Sequence, residues 1–196
     1  MAPDGSLVFS DFSTGTVFRF KSSTDVQPLV EENKAFRYAD FYPVDSNYVL
    51  AVKEDHTNPL PKDVVNTVIL IDGKNKTTTT VLEGADFYSH PKFSPDGKWL
   101  SWIQWNHPDM PWTGTELYIA EWTHGKIGKP RLVAGKAVTE AAGQPKWHSY
   151  GGLMFTSDKT GYYQLYMFDP SSFEVRKVEV KGFEDADLGG KDGLGK

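Results

Sequence analysis

The residues that could do chemistry in this chain are a few serines and histidines and one loop rich in aromatic groups. A serine nucleophile of the α/β-hydrolase type sits on a strained strand-to-helix turn written G-x-S-x-G. No such stretch occurs in the 196 residues. Ser149 lies in Trp147-His148-Ser149-Tyr150-Gly151-Gly152 and Ser6 in Asp4-Gly5-Ser6-Leu7, both of which read as turns. His148 stands beside Ser149, but neighbouring side chains on a regular strand point to opposite faces and cannot pair. No catalytic residue is therefore assigned. The five histidines, His56, His90, His107, His124 and His148, are scattered, with no H-E-x-x-H spacing and no cysteine to join them. No metal site and no cofactor is expected. Glu54-Asp55-His56 is the one tight acidic–histidine cluster, and it reads as a solvated turn capped by Asp55.

The strongest candidate for a binding site is the stretch Asn106 to Thr115, which is long for a hairpin connection. Long loops on a rigid scaffold are where binding usually resides. This one holds His107, Met110 and Trp112, with Trp105 just before it and Glu116 just after. An exposed aromatic ring beside a carboxylate could hold a peptide amine or a sugar ring. The structural alternative is that Trp112 folds back on a neighbouring sheet and the prolines only stiffen the loop. Tyr162, in Gly161-Tyr162-Tyr163, is a further surface aromatic. Strand alternation would turn one of the two tyrosines inward. Trp105, His107, Trp112, Glu116 and Tyr162 are thus the candidate ligand-binding residues.

The elements that must carry these groups are short and alternating. No segment keeps a 3.6-residue apolar period. Residues 7–12, 16–21, 48–54, 65–72, 99–105, 116–122, 153–158, 162–169 and 175–180 instead alternate Val, Ile, Tyr, Phe and Trp with polar residues, and turn residues separate them. They read as β-strands. Single helical turns are expected at most around Pro61–Val65 and Val138–Ala142. The strands belong to a repeat. His90-Pro91-Lys92-Phe93 and Gln144-Pro145-Lys146-Trp147 open two copies, Arg37 opens a third with Phe41 matched to Phe93, and Pro3-Asp4-Gly5 matches Pro95-Asp96-Gly97 in a fourth. A period of roughly 40–55 residues with about four strands per unit is the pattern of a β-propeller blade. One small twisted sheet cannot bury both faces alone, so neighbouring blades stack. The expected fold is all-β, about four blades of four antiparallel strands, as a closed four-bladed ring or a partial propeller. Blades fall at about 3–31, 37–82, 86–133 and 144–180 within a propeller region 1–188, and 189–196 is a Gly-rich tail.

Composition narrows the function. There are 6 Trp, 9 Tyr and 12 Phe, with 39% hydrophobic residues, enough for a sizeable core and against disorder. The net charge of −5 disfavours nucleic acid, which needs Lys/Arg patches. No apolar run reaches the ~18 residues of a membrane span, so no membrane partner is expected. The opening residues lack the basic and apolar regions of a signal peptide, and cysteine is absent. A cytoplasmic location is expected. The one sequon, Asn75-Lys76-Thr77, would matter only in a secreted chain.

At Ser94-Pro95-Asp96-Gly97 and onward to Trp122 the chain resembles the propeller domain of prolyl-oligopeptidase-type serine peptidases, in the dipeptidyl and acylaminoacyl peptidase branch. The segments 37–44, 52–57, 64–72, 84–98 and 157–166 support the likeness, which runs from about residue 3 to about residue 190. The Ser-Pro-Asp-Gly turn is shared by many propellers; the stretch from Asn106 to Tyr118 is much more specific. The resemblance implies a propeller that restricts which peptides reach a C-terminal α/β-hydrolase domain carrying a Ser–Asp–His triad. The chain departs from that pattern by starting inside a blade and stopping before a hydrolase. By itself it is expected not to hydrolyse peptides. A rival reading is a free-standing sugar- or peptide-binding propeller; a third is a truncated product. The segment 183–188, Phe-Glu-Asp-Ala-Asp-Leu, could close a ring by pairing with the first blade. The competing solution is self-association through open blade faces.

Overall fold

Successive side chains point to opposite faces of a strand, so an alternating run buries one face and a consecutive apolar run such as Val49–Val52 buries both, and Gly, Asp and Ser between the runs turn the chain back on itself. In the computed structural model, which describes Ala2 and residues 4–179, these runs form four antiparallel sheets and no α-helix among the described residues. The first sheet holds β1 (Leu7–Asp11), β2 (Thr16–Ser22) and β3 (Asp25–Pro28). The second holds β4 (Phe36–Pro43), β5 (Tyr48–Asp55), β6 (Val65–Asp72) and β7 (Thr77–Leu82) in that order. In the third, β8 (Phe87–Phe93), β9 (Trp99–Trp105) and β10 (Glu116–Thr123) lie in order, and β10 also pairs with the short β11 (Lys126–Ile127) and β12 (Arg131–Ala134). The fourth runs β13 (Ala142–Trp147), β14 (Leu153–Ser157), β15 (Gln164–Asp169), β16 (Glu174–Lys177). The chain divides into two compact units, up to Pro91 and from Lys92 onward. Among the described residues no helix is long and apolar enough to cross a membrane.

Of the two expected helical turns, the first is a 3-10 turn at Pro61–Asp63. The second does not form. Val138 adopts a left-handed φ of 66°, which no α-helix accommodates, and Ala142 already begins β13. Tyr162 and Tyr163 precede β15 rather than belonging to it. The segment 183–188 lies outside the described residues.

Two devices recur from sheet to sheet. In β4, β8 and β13 a residue with left-handed backbone sits four positions before the hairpin turn: Asp40 (φ 51°), His90 (φ 54°) and Gln144 (φ 51°). In β4 and β13 the pairing register shifts across this residue, the mark of a β-bulge. The bulges align Asp40, not Phe41, with the start of the His90 copy, so Pro43, Phe93 and Trp147 are equivalent. The second device is the turn carboxylate. Asp4 Oδ1 accepts from Ser6 N (3.1 Å) and Ser6 Oγ (2.6 Å), Asp45 Oδ1 from Asn47 N (2.7 Å) and Tyr48 N (2.8 Å), and Asp96 Oδ1 from Lys98 N (3.1 Å) and Ser94 Oγ (2.6 Å). The fourth sheet lacks this aspartate, and His148 Nδ1 accepts from Tyr150 N (3.3 Å) in its place.

Each unit has its own core. In the first, Val17, Leu29 and Val30 pack with Tyr38, Val49, Ala51, Ile69 and Ile71. In the second, Ile103, Leu117 and Ile119 of the third sheet pack on Leu153, Phe155, Tyr166 and Phe168 of the fourth. Fully burying one such side chain contributes about 1.5–3 kcal/mol. The three tryptophans of β9 divide by strand parity. Trp99 and Trp105 flank this core, whereas Trp102 faces the other way, stacked on Tyr118 at 5.6 Å.

Candidate functional site

The ten residues from Asn106 to Thr115 join β9 to β10, and their position is set by a buried aspartate. Asp109 is 6% exposed. Its Oδ1 accepts from Thr113 Oγ1 (3.0 Å), inside the loop, and its Oδ2 from Val138 N (2.9 Å), in the segment leading to the fourth sheet. Met110 N donates to Thr113 Oγ1 (2.8 Å), and Thr113 N to Met110 O (2.9 Å), closing a turn around the exposed Trp112. Gly114 admits the close approach. A Cβ there would stand 2.4 Å from Val138 N and 2.9 Å from the Asp109 carboxyl carbon. The loop's end is fastened as well: Thr115 N donates to Glu140 O (3.1 Å), Ala142 N to Thr115 O (3.3 Å), and the buried Thr115 Oγ1 to Ala142 O (2.6 Å).

The same segment, 135–142, holds the turn that carries Tyr162. Ala141 N donates to Asp158 Oδ1 (2.7 Å) and Ser157 Oγ to Glu140 Oε1 (2.5 Å). The end of β9, the start of β10, the start of β13 and the end of β14 therefore meet at one end of the unit. His107 and Trp112 stand there on one loop and Tyr162 on another, both tied to a common segment, and Glu116 opens β10. Trp112 is 51% and Tyr162 55% exposed; His107 is exposed, in a turn whose His107–Pro108 bond is cis. Trp105 differs, because its half-buried ring flanks the core. Glu116 is half-buried and accepts from Tyr118 Oη (3.1 Å). Burial, then this carboxylate, push the Tyr118 hydroxyl above its ordinary pKa. Such a surface can stack on and hydrogen-bond a ligand.

The serine hydroxyls of this unit that the structure pairs are held by structural partners. Ser157 Oγ is committed to Glu140, and Ser101 Oγ accepts from Trp147 Nε1 (2.9 Å). The His148 ring packs on Tyr150 at 4.8 Å. Glu54 and His56 form a surface pair (2.9 Å), and Asp55 caps the turn through Thr57 N (2.9 Å). Among the described residues no group of His, Asp and Glu could hold a metal ion.

Sequence reasoning missed Asp109, whose role depends on a backbone N–H 29 residues away. It also missed an open cleft of about 670 Å³ at the opposite end of this unit, lined by Trp99, His148, Tyr150, Met167, Asp169 and Arg176 among others. The recurrence of the hairpin turn at 94–98 and 148–152 was its only trace in the sequence.

No protein-family model matches the chain, and no curated protein does. Solved structures do. A puromycin-hydrolyzing peptidase of Mycobacterium tuberculosis matches 89% of the chain at 29% identity and a TM-score of 0.79. A puromycin hydrolase matches 91% at 26% identity and a TM-score of 0.80. An oligogalacturonate lyase solved with manganese matches 90% at 13% identity and a TM-score of 0.66, a likeness of fold alone. The chain spans about 30% of the length of the two peptidases. In sequence and fold together, this chain resembles the β-propeller domain of prolyl-oligopeptidase-type serine peptidases.

Proposed function

We propose that the chain is a non-catalytic propeller module that selects peptides for a serine peptidase. The observation that carries this reading is the 26–29% identity, over about nine-tenths of the chain, to about 30% of two puromycin-hydrolysing enzymes. Each sheet is one blade, at about 3–31, 37–82, 86–133 and 144–180; the expected tail, 189–196, lies outside the described residues. The chain lacks the G-x-S-x-G element, so hydrolysis requires an α/β-hydrolase domain. The module acts in the cytoplasm.

Peptide selection falls to the surface carrying His107, Trp112, Glu116 and Tyr162, with Trp105 beneath it. Trp112 is the aromatic anchor and the Glu116 carboxylate the partner for a peptide amine. The frame around Asp109 keeps the anchor in place, so little ordering cost falls on binding. The test is titration of the chain with short peptides bearing free amines, followed by tryptophan emission and calorimetry. Trp112→Ala is expected to weaken binding by about 2 kcal/mol, roughly 30-fold, while leaving the melting temperature in place. A sharp drop in melting temperature would make Trp112 a packing residue and remove it from the site. Absence of binding to any peptide would remove the reading.

A further inference from the structure

The second and fourth sheets differ at one turn position, and the open cleft of the second unit lies there. In each sheet one bond closes the first hairpin: Val44 N donates to Tyr48 O (2.9 Å) and His148 N to Gly152 O (2.7 Å). The residue before the acceptor is Asn47 in one and Gly151 in the other. At the same end of each sheet a later hairpin opens on an aspartate. Tyr48 pairs with Asp72, and Asp169 follows directly on the Leu153–Phe168 pair, so Asp72 and Asp169 hold equivalent places.

Asn47 ties the two hairpins of its sheet together. Its Nδ2 donates to Asp72 Oδ1 (3.0 Å) and its Oδ1 accepts from Lys74 N (2.7 Å). One edge of a primary amide thus meets a carboxylate and a backbone N–H. The fourth sheet keeps both partners: Asp169 Oδ1 accepts from Ser171 N (2.8 Å), as Asp72 Oδ1 does from Lys74 N (3.1 Å). What it lacks is the amide. Gly151, at a φ of 92°, has no side chain, and a Cβ there would meet nothing within 4 Å. The void set by this glycine opens into the cleft of about 670 Å³, which Gly151, Asp169 and Ser171 line together with Trp99 and Tyr150. The charged lining is balanced, Asp96 and Asp169 against Lys98 and Arg176, with Lys98 Nζ 3.5 Å from Asp96 Oδ2. Balanced charge suits a neutral polar ligand better than an ion.

We propose that this cleft binds a primary carboxamide, the side chain of a glutamine or asparagine in a peptide, in the place that Asn47 fills in the second sheet. The ligand's N–H donates to the Asp169 carboxylate and its oxygen accepts from Ser171 N, while its apolar stem lies against Trp99 and Tyr150. The pair of partners selects the group. A trans peptide bond points its N–H and C=O in opposite directions and cannot engage both on one edge. A guanidinium offers only donors and a carboxylate only acceptors, so each leaves one partner unmet. The site stands at the opposite end of the unit from the 106–115 loop and does not depend on that loop's role.

The test follows the backbone amide signals of the isotope-labelled 196-residue chain by NMR during titration with N-acetyl-glutamine N-methylamide, whose only primary amide is the side chain. The expected result is saturable movement of the Gly151 and Ser171 signals, with a dissociation constant on the order of 1–10 mM for so small a ligand. The corresponding glutamate and leucine compounds should bind at least about tenfold more weakly. Gly151→Asn supplies an amide from within, and Asp169→Asn keeps the turn's capping oxygen but sets a donor where the ligand needs an acceptor. Each should abolish the movement at Ser171, and Asp169→Asn carries the comparison should Gly151→Asn lose its strand signal in circular dichroism. No saturable movement up to about 50 mM would overturn the inference. Equal binding of the glutamate or leucine compound would overturn it too, as would undiminished binding to a folded variant. Movement confined to Trp112 and its loop would overturn it while leaving the loop's role intact.

Discussion

Removing the Asp109 carboxylate should release the 106–115 loop from its frame. The group is 6% exposed and makes two hydrogen bonds, to Thr113 Oγ1 at 3.0 Å and Val138 N at 2.9 Å. A hydrogen bond to a charged group contributes about 1.5–3 kcal/mol net when its partner cannot turn to water. Thr113 is only half-buried and Val138 is exposed, so both partners can recover a water and both bonds count at the low end. Asp109→Ala should therefore cost about 3 kcal/mol, a large share of the roughly 5–15 kcal/mol that holds a domain together. Asp109→Asn keeps the shape and one acceptor oxygen and should cost about half as much. Urea denaturation followed by tryptophan emission measures the cost. Acrylamide quenching, read against a Trp112→Phe control, reports whether the loop has loosened. If Asp109→Ala shifts stability by less than about 0.5 kcal/mol with quenching unchanged, the carboxylate does not hold the loop.

Two further outcomes follow from the same geometry. Gly135→Ala places a Cβ 1.9 Å from Thr115 O at a φ of 94°, so the backbone behind the loop must move, and a loss of several kcal/mol is expected in the same denaturation assay; a neutral result would refute the close approach. Acid should unfold the chain early: hydrogen bonds from Ser6 Oγ and Ser6 N lower the Asp4 pKa from 3.8 to about 2, and the turn aspartates Asp11, Asp72, Asp96 and Asp169 are lowered by their own Ser, Thr or Asn donors. A carboxylate with a depressed folded pKa stabilises fully above its unfolded value and loses that contribution as protons bind, so melting temperature should fall between about pH 4 and pH 2, and a flat profile there would contradict the assignment.

Strands with clean alternation were legible from residues alone. Val65–Asp72 and Trp99–Trp105 have the bounds their patterns predict, because each buried face demands a period of two. Register between repeats was less legible. Matching Phe41 to Phe93 follows residue type, whereas the bulges match Asp40 to His90, since the turn after β4 is one residue shorter than that after β8. The helical turn expected at Val138–Ala142 was lost to tertiary demands: Val138 N serves Asp109, and Ala141 and Ala142 bridge to neighbouring chain segments. For the site, the length and aromatic content of 106–115 pointed to the loop. They could not separate Trp112, half exposed, from Trp105, whose ring joins the core, because residue type is the same in both.

The central proposal is that this chain is a propeller module that does not itself hydrolyse peptides. Its most direct test is treatment of the purified chain with a fluorophosphonate probe, followed by intact-mass spectrometry, alongside a chromogenic dipeptide substrate. The account predicts an unmodified mass and no substrate turnover. Stoichiometric labelling of a single serine would contradict it.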